Sequence, residues 1–123
     1  MTQYLDLEDV LEVAQRAGFP VRDVGLLASA VAPPVTTVMG TEAYPTLELK
    51  AAALLESMVR NHGMIDGNKR TGWLAAVAFL WINGYQHNLD ADGVFHLVVG
   101  IAAGEIALEE SAATIGAHLI SRA

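Results

Sequence analysis

Residues 62–72 bring together the side chains of this sequence that are best suited to chemistry. The segment reads His-Gly-Met-Ile-Asp-Gly-Asn-Lys-Arg-Thr-Gly, so a proton acceptor and a carboxylate stand close to two adjacent cations. The whole chain has seven Lys and Arg against fourteen Asp and Glu, and Arg60 lies just upstream of the segment. An acidic chain that concentrates its few positive charges in one place is typical of an anion site.

The second half of this segment predicts a phosphate site at the start of a helix. A helix N-terminus offers unpaired backbone N–H groups and roughly half a positive charge, so a helix that begins near Gly67 attracts a phosphate. Gly67 allows the backbone to approach a ligand closely. Lys69 supplies a point charge, Arg70 grips two phosphate oxygens, and Asn68 positions a phosphate or a metal ion.

The first half of the segment supplies an acid and a base. His62 is the nearby group that can take up a proton near neutral pH, and its place at the end of the preceding helix makes it a better base. Asp66 would hold Mg²⁺ that bridges two phosphates. Taken singly, these residues would be an ordinary helix-end histidine and a helix cap, but their fixed spacing to Asn68 and Arg70 favours phosphate transfer to a hydroxyl.

Two apolar helices must hold this segment. Thr46 is a candidate cap for a helix from Leu47 to about Asn61, which is apolar on nearly all faces and therefore buried. Gly63 is the expected stop signal of that helix, and the next helix is predicted from near Gly67 to Gly84.

The remaining elements are also predicted to be helical. Asp6 caps a first helix that Gly18 ends, and Asp23 caps a second that Pro33-Pro34 terminates. Asp90 or Asp92 caps a fifth helix that runs to Gly104. The other predicted elements are an irregular loop over 35–45, an extended segment over 85–89 that holds a short strand, and a sixth helix over 108–120. The prediction is an all-α, six-helix single domain over 1–123, with at most a very short β pairing.

Composition excludes several classes of protein. The absence of Cys rules out disulfides and thiolate metal sites, and the N-terminus lacks the basic region of a secretory signal. The longest continuous apolar run, residues 73–82, is far short of the ~20 residues that a membrane span needs. The acidic balance disfavours a helical DNA-binding domain, since neutralising phosphates needs many cations. We expect a cytoplasmic protein that binds neither membrane nor nucleic acid directly.

Two further sets of residues are assigned to structure rather than function. His87, His96 and His118 share no spacing typical of a metal site, so they are predicted to be surface or core residues. Trp73 and Trp81 are two turns apart on one helix, and the pattern favours a place in the core over a stacking platform.

The 62–72 segment resembles the signature of the Fic superfamily, His-x-Phe-x-(Asp/Glu)-(Gly/Ala)-Asn-(Gly/Lys)-Arg. Lys69 and Thr71 make it similar to the Doc branch, the death-on-curing toxins of toxin–antitoxin modules. Segments across most of the chain also look Doc-like, among them residues 4–10, 24–30, 44–46 and 50–57. The resemblance implies a six-helix fold and transfer of a phosphate-containing group from a nucleotide to a protein hydroxyl.

By position, the resemblance implies that His62 is the general base, that Asp66 binds Mg²⁺, and that the Gly67–Arg70 segment holds the phosphates of ATP. Met64 replaces the usual Phe that anchors the loop, and as an apolar, adaptable residue it should preserve the anchoring. Trp73 stands where adenylylating Fic enzymes carry a second Arg, and Lys69 stands where they usually carry Gly. This Doc-type pattern implies a kinase that phosphorylates elongation factor Tu. Adenylylation and a catalytically idle binding module remain as alternatives.

The sequence lacks the inhibitory motif of self-inhibiting Fic proteins, Ser/Thr-x-x-x-Glu-Gly/Asn. Control is therefore expected from another chain. The resemblance implies a small Phd-like antitoxin that presents an amphipathic helix to an apolar groove, with the loop over 35–45 as a border of that groove.

Overall fold

The computed structural model describes residues 1–61 and 67–122, and within them the chain forms six α-helices and two short antiparallel strand pairs. The helices are α1 (Leu7–Ala17), α2 (Val24–Ala30), α3 (Leu47–Arg60), α4 (Asn68–Ile82), α5 (Ala91–Ala102) and α6 (Leu108–Ala117). The strands are β1 (Thr37–Val38), β2 (Thr41–Glu42), β3 (Tyr85–His87) and β4 (Leu119–Ser121). The predicted all-α, six-helix class with very short β pairing is confirmed.

Short polar side chains begin most of these helices, as predicted. Asp6 accepts a hydrogen bond from the backbone N–H of Asp9 and Asp9 reciprocates, each at 2.9 Å, which satisfies two donors that the helix itself cannot pair. Asp23, Thr46 and Asp90 cap α2, α3 and α5 in the same way with one bond each. Helix α1 ends at Gly18, whose left-handed backbone (φ +81°) follows the αL pattern of helix ends.

Helix α3 is the centre of the core. Its buried residues cover most of its circumference and are Lys50, Ala51, Ala52, Ala53, Leu54, Leu55, Met58 and Val59. Helix α4 packs closely along it at Gly72, where an added Cβ would lie 3.0 Å from both Met58 Cβ and Val59 Cγ1. The glycine therefore sets the separation of the two helices that flank the 61–67 connection.

The one buried cation of α3 anchors the first hairpin. Lys50 is 2% exposed, and its Nζ donates to the Pro34 carbonyl at 3.3 Å and to Glu42 Oε1 at 2.9 Å. Burial of the ammonium lowers its pKa, but the hydrogen bond to Glu42 and the contact with Tyr4 outweigh this and leave the pKa of Lys50 raised above 10.5. Lys50 thus joins the helix to strand β2 and to the short 3₁₀ turn Pro33–Val35.

Two predictions about backbone structure were wrong. The 35–45 segment is not irregular, because β1 pairs with β2 around a turn at Met39 and Gly40, both with positive φ (53° and 81°). Such a pair of φ values is what a tight two-residue hairpin requires. Helix α6 ends at Ala117 rather than Ile120, and residues 119–121 form β4, which pairs with the strand β3 predicted near residue 85.

Residues near both ends of the chain contact the C-terminal end of α4. Asn83 exchanges hydrogen bonds with the backbone of Gln3, 2.8 and 2.9 Å long, which tie the N-terminal segment to the end of α4. Trp81 is 50% exposed, and the Arg122 guanidinium lies 4.7 Å from its ring. The predicted core position of Trp81 is wrong, since eight residues are 2.2 helical turns and place it about 80° away from Trp73.

Candidate active site

Helix α4 begins at a backbone position that only glycine can occupy without strain. Gly67 has φ +80°, and a Cβ built on it would lie 2.4 Å from the ring of Phe19. The backbone N–H of Thr71 donates to the Gly67 carbonyl at 2.8 Å and closes the first turn. Phe19 in turn packs against the core, so the start of α4 is placed by a contact from the end of α1.

The two predicted phosphate-binding cations are both solvent-exposed in the first turn of α4, where Asn68 is partly buried. The Arg70 guanidinium lies 5.6 Å from the Phe19 ring, within range of a cation–π interaction. Positive charge at a helix N-terminus opposes the helix dipole, which costs a few tenths of a kcal/mol or more. A bound anion would remove this cost.

The start of α4 lines an open cavity of about 1090 Å³. Its polar lining, within the described part of the chain, comprises Gly67, Asn68, Lys69, Arg70 and His87. Its remaining lining is apolar and comes from α3, α4, the segment after β3, and α5: Val59, Trp73, Leu74, Leu89, Ala91, Val94, Phe95, Val98 and Val99. All four predicted phosphate-binding residues therefore line a single cavity, which is large enough for a nucleotide-sized ligand.

His87 also lines this cavity, a position that its sequence context does not predict. Its ring lies 5.0 Å from the Trp73 ring in an edge-on arrangement, and its Nδ1 accepts a hydrogen bond from the Leu89 backbone N–H at 3.1 Å. Burial, with a smaller contribution from the charge of His118, lowers the pKa of His87 below 6.5. Only the pairing of β3 with β4, a contact between distant parts of the chain, could have indicated this position.

Arg60 does not join the predicted cationic cluster. Its Nε donates to the Ile101 carbonyl at 3.2 Å and its Nη1 pairs with Glu56 at 3.2 Å. Ile101 lies in the last turn of α5, so Arg60 satisfies a carbonyl at that helix end. The positive charge beside the cavity comes from Lys69 and Arg70.

The predicted base and metal ligand, His62 and Asp66, lie outside the described residues, as do the expected stop signal Gly63 and the replaced anchor Met64. The described ends of this connection are fixed: Asn61 Nδ2 donates to the Leu26 carbonyl at 2.8 Å, and Gly67 is held as described above. Within residues 1–61 and 67–122 there is no cluster of three or more acidic, His or Cys residues that could bind a metal ion. In the same ranges, no helix combines the length and apolarity of a membrane span.

Fold and site together define a helical protein whose two central helices flank a short connection that leads into a helix start with two adjacent cations. Comparison with known proteins identifies the group more closely. The Fic/DOC family profile matches residues 4–80, and the chain belongs to this family. It is also 49% identical over 120 residues to "Toxin Doc" of Mycolicibacterium smegmatis, an alignment that covers 94% of this chain and 92% of the relative. The predicted family resemblance is thereby confirmed.

Proposed function

We propose that this protein is a Doc-like toxin that transfers a phosphate from ATP to a hydroxyl group of a target protein. The observation that carries the proposal is the cationic start of α4, where Gly67, Asn68, Lys69 and Arg70 line one cavity. The 49% identity of this chain to a protein named "Toxin Doc" supports its assignment as a toxin of that type. Elongation factor Tu is the target that the Doc resemblance implies, and inhibition of translation in the cytoplasm is the expected result.

The proposed reaction assigns one task to each residue. The backbone N–H groups of the α4 start, with Lys69 and Arg70, hold the phosphates and offset their negative charge. His62 takes the proton of the target hydroxyl as its oxygen attacks the γ-phosphorus of ATP. The bond between the γ-phosphorus and the bridging oxygen breaks, ADP leaves, and the target carries a phosphate ester.

A magnesium ion fits the residue types at this site. Asp66 and Asn68 are separated by one residue and both offer the oxygen ligands that Mg²⁺ prefers. When bound, the ion would neutralise phosphate charge. Asp66 is the proposed protein ligand, and Asn68 would orient either the ion or a phosphate.

The residue at position 73 favours phosphate transfer over AMP transfer. Adenylylating members of the superfamily carry a second Arg there, which holds the γ-phosphate. In this chain position 73 is a Trp whose ring packs against His87 and lines the cavity. Without a guanidinium at this point, the γ-phosphate is free to be the group transferred.

A small Phd-like antitoxin is the proposed regulatory partner. An amphipathic helix needs apolar side chains at helical spacing to pack against. Leu74, Phe95 and Val99 at the rim of the cavity are 42%, 62% and 37% exposed, and the last two are one turn apart on α5. These rim residues are the proposed contacts. The 35–45 segment, predicted to border the groove, supplies none of the cavity lining in the described part of the chain.

Transfer of label from ATP tests the proposed reaction. The purified protein is incubated with cell extract, Mg²⁺ and ATP labelled at either the α- or the γ-phosphate. We expect protein-bound label from the γ position alone, abolished by His62→Ala and strongly reduced by Arg70→Ala.

His96→Ala is the matched control, because His96 is exposed and does not line the cavity. It should leave labelling unchanged. Label from the α position would instead establish AMP transfer. If no label depends on His62, the proposed transferase activity is excluded and the protein is a catalytically idle binding module.

A further inference from the structure

Thr71 is a buried polar residue to which the proposed reaction gives no task. It follows Arg70 in α4 and is 0% exposed, and its Oγ1 has no hydrogen-bond partner within the described part of the chain. Burial of an unpaired hydroxyl lowers the stability of a protein, because the hydroxyl gives up water and gains nothing in return. A Val, which has nearly the same shape, would avoid this cost. The hydroxyl therefore needs an explanation outside the stability of the fold.

The hydroxyl of Thr71 does not use the partner that its own helix offers. A Thr or Ser inside a helix commonly donates to a carbonyl of the preceding turn. Thr114 and Ser29 do so, at 3.1 and 3.2 Å from the carbonyl four residues earlier. At the corresponding place in α4, the Gly67 carbonyl accepts the backbone N–H of Thr71 at 2.8 Å and not its hydroxyl. The Thr71 hydroxyl is thus available to another group.

Asn68 is the polar side chain best placed to meet this hydroxyl. Side chains on a helix lean toward its N-terminus, so Thr71 covers the turn that contains Asn68, and residues three apart are neighbours on a helix surface. Asn68 is partly buried and also lines the cavity. Its amide has an oxygen that accepts hydrogen bonds and an NH₂ group that donates two. The amide can therefore turn one end toward Thr71 and the other toward a ligand.

The end of the amide that faces the cavity decides what Asn68 can bind. A phosphate needs the NH₂ group, whereas Mg²⁺ needs the oxygen. A hydroxyl that donates to Oδ1 holds the oxygen away from the cavity and leaves the NH₂ group directed into it. The reverse orientation would bring the amide oxygen against phosphate oxygens, which repel it. Beside the exposed Lys69 and Arg70, the orientation that donates to an anion is the favourable one.

We propose that Thr71 is a positioning residue of the phosphate site. When a phosphate binds at the start of α4, the Thr71 hydroxyl donates to Asn68 Oδ1 and thereby directs the amide N–H groups of Asn68 at the phosphate oxygens. The proposal rests on the proposed function in one respect, since it needs a phosphate in the site, but it does not depend on which group is transferred. It assigns Asn68 to the phosphate and leaves Asp66 as the proposed ligand of the metal ion.

Calorimetric titration with inorganic tripolyphosphate tests the proposal, once in the presence of Mg²⁺ and once with EDTA. Thr71→Val removes the hydroxyl and preserves the shape of the side chain, and Thr71→Ser retains the hydroxyl. The matched control is Thr114→Val, which removes a helical hydroxyl on α6 that does not line the cavity. Urea denaturation of each variant measures the free energy of unfolding.

Thr71→Val should weaken tripolyphosphate binding about fivefold with and without Mg²⁺, which corresponds to the loss of one hydrogen bond. Its free energy of unfolding should not decrease, because the change removes an unpaired buried hydroxyl. Thr71→Ser should bind tripolyphosphate as the parent protein does, and Thr114→Val should leave the affinity unchanged. In an Asn68→Ala background, Thr71→Val should have no further effect on binding, because the two residues act through one contact.

Three results would overturn the proposal and leave the phosphate site intact. They are equal affinity of Thr71→Val and the parent protein, the same fivefold loss in the Asn68→Ala background, and a loss confined to the titration with Mg²⁺, which would assign Asn68 to the metal ion. If the parent protein binds no tripolyphosphate, the proposal and the phosphate site of the proposed function fail together. The expected binding results without transfer of label from ATP would overturn the proposed function alone.

Discussion

A Cβ atom on Gly67 would lie 2.4 Å from the ring of Phe19, so the residue before α4 has no room for a side chain beside the second residue after α1. This close approach connects the placement of the α4 start, where the phosphate site is predicted, to a residue nearly fifty positions earlier. It also explains why Gly67 is needed independently of any ligand. A side chain there would meet two obstacles, the left-handed backbone and the Phe19 ring.

Gly67→Ala should therefore destabilise the protein more than a left-handed glycine does elsewhere. Gly84→Ala is the matched control, because Gly84 has φ +90° but nothing within 4 Å of an added Cβ. Strain of the left-handed backbone should cost about 1–2 kcal/mol at both positions. Gly67→Ala should cost a further 1–3 kcal/mol or so from overpacking. Urea denaturation measures both, and the extra cost should disappear in a Phe19→Ala background. Equal losses in the free energy of unfolding for Gly67→Ala and Gly84→Ala would show that the Phe19 side chain moves aside without an energetic cost.

Gly72→Ala tests the close packing of the two central helices. The new Cβ would lie 3.0 Å from Met58 Cβ and Val59 Cγ1, neither at the far end of a long side chain. We expect a loss of about 1–3 kcal/mol in the free energy of unfolding. Gly116→Ala on α6 is the control, since its new Cβ would meet Glu48 at an ordinary 3.4 Å. There the higher helix propensity of Ala should stabilise the protein by up to about 1 kcal/mol. A neutral Gly72→Ala would mean that α3 and α4 can separate without cost.

His87 should make stability depend on pH in the mildly acidic range. Because its folded pKa is lowered below 6.5, the unfolded chain binds a proton first as the pH falls. Stability is therefore complete above pH 6.5 and decreases as the pH falls from there toward the folded pKa. Protonation also breaks the hydrogen bond that Nδ1 accepts from Leu89. Urea denaturation between pH 5 and 8 should show a smaller decrease for His87→Gln than for the parent protein. Identical pH profiles would exclude a shifted His87.

Lys50→Met should loosen the first hairpin while preserving the packing of the side-chain stem. The change removes the partner of the buried Pro34 carbonyl, for which we expect a cost of about 1–2 kcal/mol. Glu42, whose side chain is 53% exposed, can return to water and should add little. Arg16→Met is the control. It breaks a pair with Glu12 whose side chains are 80% and 59% exposed, and should cost less than about 0.5 kcal/mol. Amide hydrogen exchange at residues 37–42 should accelerate in Lys50→Met and not in Arg16→Met. Unchanged exchange in Lys50→Met would show that other contacts hold the hairpin in place.

The sequence predicted those features that depend on local chemistry. Asp6, Asp23 and Thr46 cap helices because a side-chain oxygen and the next turn are enough to decide a helix start. The four residues Gly67–Arg70 lie together because one helical turn contains them all. Apolar residues on nearly all faces of α3 likewise predicted its central position.

Features that depend on distant contacts were missed for a physical reason. No residue near position 119 indicates that Tyr85–His87 is available as a partner strand. The helix predicted from local propensity therefore runs to residue 120, three residues beyond the observed end of α6. His87 entered the cavity by the same pairing. Arg60 is close to Lys69 and Arg70 in sequence, but its guanidinium reaches the end of α5, forty-one residues away along the chain.

The pairing of β3 with β4 also sets the order in which the cavity can be completed. Strand β3 carries His87, and its partner Leu119–Ser121 is synthesised only after both α5 and α6. A nascent chain on the ribosome can form α3, α4 and the cationic helix start well before that partner emerges. The wall that holds His87 in place is therefore fixed only after strand β4 has been synthesised, later than every helix that lines the cavity.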